Sequence, residues 1–254
     1  MIAIISDVHG NREALEAVFQ ELDRLKPDAV ICLGDNVGYG PEPIECIDAV
    51  RRRCAVTVCG NHDFALIYGA NGFSPVARAS IEYHRSIIMP RPDQDDADRR
   101  ERWQFLKEMP YRHVRGEFLF VHGAPRNPVT EYLRKIDVLL GMNKKLTENF
   151  QQVDWLCFIG HTHRPGVITP DMRFLEPGEM RGVFEPRPRQ KAIINVGSVG
   201  QPRDGDWRAC FVTFEEGGRV RFHRVEYDID SVVAKMRATG TIDDSLADRL
   251  RRGK

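Results

Sequence analysis

Six short apolar runs, each closed by a polar residue or a glycine, constrain the fold of this chain most strongly. They are AIIS (3–6), AVICLG (29–34), AVTVCG (55–60), FLFVHG (118–123), WLCFIG (155–160) and AIINVG (192–197). Apolar runs of this length without alternation are typical of strands buried on both faces. Residues 11–25 carry apolar side chains at helical spacing, behind a potential Asn11 cap and before Pro27. The first half is therefore predicted to be a β-α-β series.

The rest of the chain divides into an insertion and a strand-rich half. Residues 64 to about 110 contain helical patterns at 76–89 and 94–108 and no comparable apolar run. After residue 160 the sequence is rich in Pro and Gly turns, with strands predicted around 209–215 and 219–226. We expect one domain over 1–254, with a helical cap insertion at about 64–110 and a short, charged C-terminal helical tail at about 228–254.

Charge and apolar content exclude several classes of function. Lys plus Arg and Asp plus Glu both total 37, so no overall positive field attracts the chain to long nucleic acid or to an acidic membrane. No stretch reaches the roughly 18 apolar residues of a membrane span, and the N-terminus does not resemble a secretory signal. Six scattered cysteines without a C-x-x-C pair suit a reducing compartment. We expect a cytoplasmic protein with no membrane partner.

Polar clusters directly follow five of the apolar runs. They are Asp7-Val8-His9, Gly34-Asp35-Asn36, Gly60-Asn61-His62-Asp63, His122-Gly123 and Gly160-His161-Thr162-His163. Ligands bind at the carboxyl ends of strands in such sheets, so the five clusters can converge on one site. Five of the eight histidines lie in these clusters, whereas His84, His113 and His223 are interpreted as surface or satisfied core residues.

The residue types in these clusters predict a metal centre. In D-x-H and H-x-H, two side chains two residues apart can point the same way from a strand end and hold one ion. Carboxylate, amide and imidazole ligands without sulfur favour Mn, Fe, Zn, Co or Ni. One carboxylate can bridge two metals, which indicates a hydrolytic site with two metal ions.

The ordered set D-x-H, G-D-x, G-N-H-D, H and G-H-x-H resembles the calcineurin-like metallophosphoesterase superfamily over residues 1 to about 215. The stretches GDNVGYGPEP and NVGSVGQPRDGD resemble its small bacterial branch of phosphodiesterases and dinucleoside tetraphosphate hydrolases. The resemblance implies an α/β fold, a four-layer α-β-β-α sandwich of two mixed β-sheets. That architecture suits a first half rich in helices and a second half rich in strands.

The resemblance also assigns roles to individual residues. One metal would be held by Asp7, His9, Asp35 and His163, and the other by Asp35, Asn61, His122 and His161. Asp35 would bridge the two ions. His62 would be the catalytic residue that stabilises or protonates the leaving oxygen while a metal-bridging hydroxide attacks phosphorus.

The sequence departs from the protein phosphatases of this family. Their G-D-x-x-D-R-G motif carries an Asp that steadies the catalytic His and an Arg that clamps phosphate, and here Gly38 and Tyr39 occupy these positions. The departure disfavours a protein phosphatase. It also disfavours the symmetrical tetraphosphatase branch, which has the same Arg.

Two further residues are candidates for contacting substrate. Arg203 lies in GSVGQPRDGD, a loop whose backbone N–H groups could also meet phosphate. The alternative is an ordinary surface turn in which Arg203 pairs with Asp204 or Asp206. Asn36 is the second candidate, although it also suits a role in positioning its neighbours.

These observations predict an enzyme that hydrolyses small phosphodiesters or dinucleoside polyphosphates with two metal ions. The predicted partner is a small phosphorylated substrate, nucleotidic compounds included. The alternatives are a phosphomonoesterase or protein phosphatase on the same site, a family nuclease, and a non-catalytic interaction scaffold of the same fold.

Overall fold

The computed structural model describes residues 1–91, 93 and 96–254. Its strands are β1 (Ile2–Ile5), β2 (Ala29–Cys32), β3 (Val56–Thr57), β4 (Arg112–Arg115), β5 (Phe118–Val121), β6 (Leu156–Ile159), β7 (Gly166–Thr169), β8 (Arg173–Leu175), β9 (Val183–Phe184), β10 (Ala192–Asn195), β11 (Ala209–Phe214) and β12 (Val220–Val225). Each of the six apolar runs contains a strand, as predicted.

Helices cover the segments between and beyond these strands. They are α1 (Arg12–Leu25), α2 (Pro43–Arg53), α3 (Asn61–Tyr68), α4 (Pro75–Ile88), α5 (Ala97–Glu108), α6 (Lys135–Leu139), α7 (Asn143–Gln151), α8 (Ile229–Ala238) and α9 (Asp244–Arg252). Helix α1 starts where its sequence predicts, because the Asn11 side chain accepts a hydrogen bond from the backbone N–H of Ala14.

The strands form two mixed six-stranded sheets. The first has the order β3-β2-β1-β11-β12-β9 and the second β4-β5-β6-β10-β7-β8. Strands β1 to β3 run parallel, as do β5, β6 and β10, whereas β11 and β7 are antiparallel to their neighbours. The first sheet therefore combines the parallel strands β1 to β3 with the antiparallel strands from later in the chain. In each sheet, the carboxyl ends of the parallel strands lie at the same edge.

Side chains alternate along β1 between two layers of core. Ile2 and Ile4 pack between the sheets with Phe120, Phe158 and Phe214, whereas Ala3 and Ile5 face a helical layer that contains α1, α2, α8 and α9. Leu146 and Phe150 of α7 cover the outer face of the second sheet. The α-β-β-α sandwich is thus confirmed, and its two sheets share one apolar interior.

Strands β4, β7, β8 and β9 lie outside the strands expected from the sequence. Strands β7 and β9 lie in HRPGVITPDM and LEPGEMRGVFEPRPRQ, two segments that the sequence predicts to be Pro and Gly turns. These strands are only two to four residues long, and neighbouring strands determine their pairing. Short segments of this kind carry no periodicity of their own.

The C-terminal segment is part of the core. Helices α8 and α9 bury Val232, Val233, Met236, Leu246 and Leu250 against the helical layer of the first sheet. Helices α3 to α5 form a separate apolar cluster beside α2. Within the described residues, no helix combines the length and apolar character needed to cross a membrane.

The core role of α9 predicts a clear effect on stability. Leu246 is fully buried, so Leu246→Ala should lower the free energy of unfolding by about 2–5 kcal/mol. Leu140→Ala is the matched control because Leu140 is 70% exposed, and it should change stability by less than about 0.5 kcal/mol. Urea unfolding of both variants measures the difference, and equal stabilities would contradict a core role for α9.

Candidate active site

The candidate ligands lie where strands of both sheets end. Asp7 follows β1, Asp35 follows β2, and Asn61 opens α3 after β3. His122 follows β5, and the 160–163 loop follows β6. Backbone hydrogen bonds join the first two loops, from Asp7 N to the Gly34 carbonyl at 2.9 Å and from His9 N to the Asp35 carbonyl at 2.8 Å.

One group of potential ligands surrounds His9. Its Nε2 lies 3.2 Å from His163 Nε2, 3.7 Å from Asp35 Oδ2 and 3.8 Å from Asp7 Oδ1. Asp7 Oδ1 is also 3.1 Å from His163 Nε2. All four side chains are buried, and together they could hold one metal ion.

A second group of potential ligands also includes Asp35. His122 Nε2 is 3.3 Å from Asp35 Oδ2, 3.1 Å from His161 Nδ1 and 3.0 Å from Asn61 Oδ1. Asp35, His122 and His161 could hold a second ion, and the Asn61 amide oxygen adds a further donor. Asp35 Oδ2 is thus near ligands of both groups, and the structure brings together the seven residues selected from the sequence.

The hydrogen bonds of the imidazoles define which ring nitrogens are free to bind a cation. A backbone carbonyl can only accept, so a ring nitrogen beside one must donate. Nδ1 donates in three rings, from His9 to Val37 at 2.8 Å, from His122 to Leu33 at 2.9 Å and from His163 to Gln201 at 2.6 Å. His161 is reversed, since its Nε2 lies 3.3 Å from the Thr130 carbonyl. In the neutral rings, the nitrogens that face the site therefore carry lone pairs.

This donor arrangement fits metal ions. Lone pairs of His9 and His163 face each other at 3.2 Å, and those of His122 and His161 at 3.1 Å. Such contacts repel unless a cation or a proton lies between them. Burial lowers the pKa of His122, but the charge of Asp35 and its hydrogen bond raise it to about 9, so positive charge is favoured there. Burial lowers the pKa of His161 to about 3, which keeps that ring neutral and able to bind a metal.

The backbone is strained at the same residues. Asp7, His9, Asp35, His161 and His163 all have φ between 50° and 65°, the left-handed region. Each such residue costs on the order of 1–3 kcal/mol and persists only where surrounding contacts impose it. This strain is concentrated in the three loops that supply most of the candidate ligands.

His62 lies beside the two groups of potential ligands. Its ring packs against His9 at 4.8 Å, Tyr39 at 4.6 Å and Phe73 at 5.0 Å between centroids. Its buried Nδ1 has no hydrogen-bond partner among the described residues. Burial lowers the pKa of His62 to about 4, although the charge of Asp35 acts in the opposite direction.

Glycine at position 38 is required by the position of His62. A Cβ at Gly38 would lie 2.2 Å from His62 Nδ1, and the residue has φ of +85°. At the position of the aspartate of the G-D-x-x-D-R-G motif, the backbone of Gly38 therefore lies directly against the ring of His62. Aromatic contacts with Tyr39 and Phe73 orient His62 instead.

The Asp63 carboxylate holds the Asp35 loop in place. Its carboxylate accepts hydrogen bonds from the backbone N–H groups of Asp35 at 2.7 Å and Asn36 at 2.9 Å. The Asn36 amide also donates to Asp63, and Asn36 is fully buried. These bonds give Asn36 a positioning role in the Asp35 loop, and its contact with a substrate stays a prediction.

The 196–203 loop supports the metal-binding loops. Val199 N and Gly200 N donate to the carbonyls of Ser6 and Asp7, and Arg203 N donates to the carbonyl of His163. These three N–H groups are therefore not free to bind phosphate. The Arg203 side chain bonds Gln201, whereas Asp204 and Asp206 pair with other arginines, so the alternative of an Arg203 ion pair with either aspartate is not seen among the described residues. Contact of Arg203 with substrate stays a prediction.

The Arg203 guanidinium remains near the site. It lies over the ring of Tyr39 at 5.6 Å, and Tyr39 packs on both His9 and His62. His84 is buried and bonded to Gly38 N and the Gly40 carbonyl, as expected of a satisfied core histidine. His113 and His223 are half-buried on β4 and β12.

Sequence reasoning missed Asn195 at the end of β10. Its side-chain amide donates to the Gly160 carbonyl at 2.6 Å and to Thr162 Oγ1 at 2.9 Å, which holds the 160–163 loop. The Asn that ends the AIINVG run is a weak signal for this role, because polar residues end many strands. Gln201 was equally unsuspected as the partner of His163.

A cavity of about 600 Å³, which we call the aromatic cavity, opens onto the candidate ligands. Asn61, His62 and His161 line it together with Tyr68, Phe73 and Tyr132. Tyr68 and Phe73 thus belong to the lining of this cavity, whereas Tyr83 of the same helical insertion packs against the helical layer of the first sheet.

The four-layer sandwich and its buried Asp and His cluster define a metallophosphoesterase. The sequence matches the calcineurin-like phosphoesterase family over residues 1–171, and the chain belongs to that family. Members of this family are phosphoesterases that use divalent metal ions.

Several relatives agree with this assignment. The crystal structure of a metallophosphoesterase from Sphaerobacter thermophilus is 40% identical with a TM-score of 0.82, and the match covers 100% of this chain and 98% of that one. An uncharacterized protein of Methanocaldococcus jannaschii is 31% identical over 100% of this chain and 98% of its own length. A symmetrical bis(5'-nucleosyl)-tetraphosphatase of Methylococcus capsulatus is 32% identical, over 48% of this chain and 42% of that protein.

The shared position of Asp35 predicts that the two metals are lost together. Asp35→Asn should bind far less than one ion per chain, because both ligand groups include this carboxylate. Elemental analysis after saturation with Mn²⁺ and gel filtration measures the content. Asp98→Asn is the control, since Asp98 is exposed on α5 and should retain the wild-type metal content. A folded Asp35→Asn protein with one site still filled would refute a shared ligand.

Proposed function

We propose that this protein is a phosphoesterase with two metal ions that hydrolyses small phosphodiesters or dinucleoside polyphosphates. The observation that carries the proposal is the pair of buried ligand groups that meet at Asp35 Oδ2 beside His62. Asp7, His9, Asp35 and His163 would hold one ion, and Asp35, Asn61, His122 and His161 the other. Mn, Fe, Zn, Co and Ni all suit these oxygen and nitrogen ligands.

Two such ions supply Lewis acidity toward phosphoryl oxygens and lower the pKa of water. The chain itself contributes orientation. The backbone carbonyls of Val37, Leu33 and Gln201 fix three of the imidazoles, and His62 N donates to Asp35 Oδ1 at 2.8 Å. The ligand atoms therefore need little rearrangement before the reaction, which is how such sites lower the barrier.

His62 is the group we propose acts on the leaving oxygen. It lines the aromatic cavity and is next to, but outside, both ligand groups. The neutral ring can hydrogen-bond to the phosphoryl group, and an anionic phosphate beside it favours protonation. A proton delivered by this ring to the departing oxygen completes hydrolysis without a covalent intermediate.

A diester suits this site better than a monoester. Tyr39 occupies the position of the arginine in G-D-x-x-D-R-G, so one cation that would bind a dianionic monoester is absent from that position. The tyrosine ring instead packs against His9 and His62. A diester carries one negative charge on the reacting phosphate and needs fewer cations around it.

Nucleotidic substrates are supported by the aromatic cavity. Tyr68 is 57% exposed and Phe73 is half-buried, so both rings have accessible faces on which a base could stack. The similarity to symmetrical tetraphosphatases over about half of the chain is consistent with such substrates.

We propose that helices α3 to α5 act as a cap that selects leaving groups, within a single domain over 1–254. We also propose a cytoplasmic location, which suits six unpaired cysteines, five of them buried.

The role of His62 predicts loss of turnover with retention of metals. His62→Ala should lower kcat by roughly 10² to 10⁴, the usual contribution of a positioned acid or base. Its metal content should equal that of wild type, because His62 belongs to neither ligand group. His113→Ala is the histidine control, because His113 lies on β4 and belongs to neither ligand group, and it should keep full activity. Activity of His62→Ala within a few-fold of wild type would contradict the catalytic role and favour a scaffold.

The diester preference has its own measurement. The specificity constant for bis(p-nitrophenyl) phosphate should exceed that for p-nitrophenyl phosphate under the same metal and pH conditions, since Tyr39 leaves the site with fewer cations than a dianion needs. A ratio well below one, together with phosphate release from a phosphopeptide, would favour a phosphomonoesterase instead.

A further inference from the structure

A second cavity of about 490 Å³, which we call the basic cavity, shares Tyr132 with the aromatic cavity. Its lining combines the cations of Arg134, Arg164 and Arg203 with the apolar side chains of Ile136, Leu139 and Phe174. Thr162, between the candidate ligands His161 and His163, also lines it. The basic cavity therefore borders the loop that supplies two of the proposed metal ligands.

The arginines of this cavity are not neutralised by carboxylates. Within the ranges 1–91, 93 and 96–254, Arg134, Arg164 and Arg203 form no ion pair. Lys135, at the same cavity, pairs with Glu176 at 2.6 Å. Elsewhere, arginines such as Arg126 and Arg208 are engaged by acidic side chains. The basic cavity thus concentrates uncompensated positive charge beside the metal centre.

Aromatic stacking fixes two of these guanidinium groups relative to the site. Arg134 lies over the ring of Tyr132 at 4.3 Å, and Tyr132 stacks on His161 at 3.7 Å between centroids. Arg203 lies over Tyr39, which packs on His62. A guanidinium stacked on a ring is restricted in its motion, while the N–H donors in its own plane can still reach phosphate oxygens. Arg203 already donates from Nε and Nη2 to Gln201, so only its remaining donors are free for a phosphate.

We propose that the basic cavity binds one half of the substrate, and that this half carries further phosphate groups of its own. This inference rests on the proposed function, because the same metal centre performs the hydrolysis. The arginines bind the additional phosphates, and the apolar lining from Ile136, Leu139 and Phe174 contacts the organic group. The favoured substrates are phosphoanhydrides with charge on both sides of the broken bond, rather than diesters with neutral substituents.

The reaction balances as a hydrolysis. The oxygen of water forms a bond to the attacked phosphorus, and the bond from that phosphorus to the bridging oxygen breaks. The leaving phosphate chain departs with the bridging oxygen and its electron pair, and the proton lost by water is conserved in the products or the solvent. The guanidinium groups would stabilise the negative charge of the phosphate chain that lies in the basic cavity.

Two measurements test this subsite with the double variant Arg134→Gln/Arg164→Gln. In the metal-loaded enzyme, the specificity constant for diadenosine tetraphosphate divided by that for bis(p-nitrophenyl) phosphate should fall at least about tenfold, since lost charge-assisted hydrogen bonds act on one substrate only. In metal-free protein with EDTA, calorimetric titration with adenosine triphosphate should give a Kd raised by at least about tenfold.

Matched variants separate charge from packing. Arg134→Lys/Arg164→Lys keeps both charges and should retain part of the binding, whereas Arg187→Gln, on an exposed loop outside the cavity, should match wild type. An unchanged ratio and an unchanged Kd in the double Gln variant would overturn the subsite. If no phosphoester is hydrolysed at all, the proposed function fails, and the metal-free titration still decides whether the basic cavity binds phosphates.

Discussion

The main constraint on this structure is that hydrogen-bond acceptor atoms of the candidate ligands lie buried and face one another, where they repel unless a cation or a proton lies between them. The lone pairs of His9 and His163 approach to 3.2 Å, and Asp35 Oδ2 faces imidazole nitrogens on both sides. Isolated buried acceptors of this kind are strongly unfavourable. Bound cations would turn the same contacts into attraction, so metal binding would stabilise this site.

The surrounding loops are shaped to hold these atoms together. Three carbonyls orient the imidazoles, Asp63 holds the Asp35 loop, and Asn195 holds the 160–163 loop. Five residues accept left-handed backbone conformations to direct their side chains inward. The apolar interior between the two sheets keeps both strand edges rigid enough to maintain this strain. Mutation of a supporting residue would therefore act through the geometry of the ligands.

Much of this arrangement could be predicted from the sequence, because its signals are local. Each apolar run indicated a buried strand, and the polar residues after five of the runs indicated the edge of the site. The resemblance to the metallophosphoesterases then selected seven candidate ligands among these polar residues. Residues that act across the fold were not predictable. Asn195 and Gln201 bond partners more than 30 residues away, and neither shows a local pattern that reveals this. The packing of the helical segment at 228–254 against the core was not predictable either, because burial of Leu246 and Leu250 depends on a sheet formed elsewhere.

The proposed activity requires two cations, each held in part by Asp35. Anomalous diffraction from crystals soaked in Mn²⁺, recorded near the Mn absorption edge, tests this directly. We expect two peaks roughly 3.5–4 Å apart, one within bonding distance of His9 and His163 and one of His122 and His161, with Asp35 contacting both. A single peak, or two peaks of which neither contacts Asp35, would contradict the account.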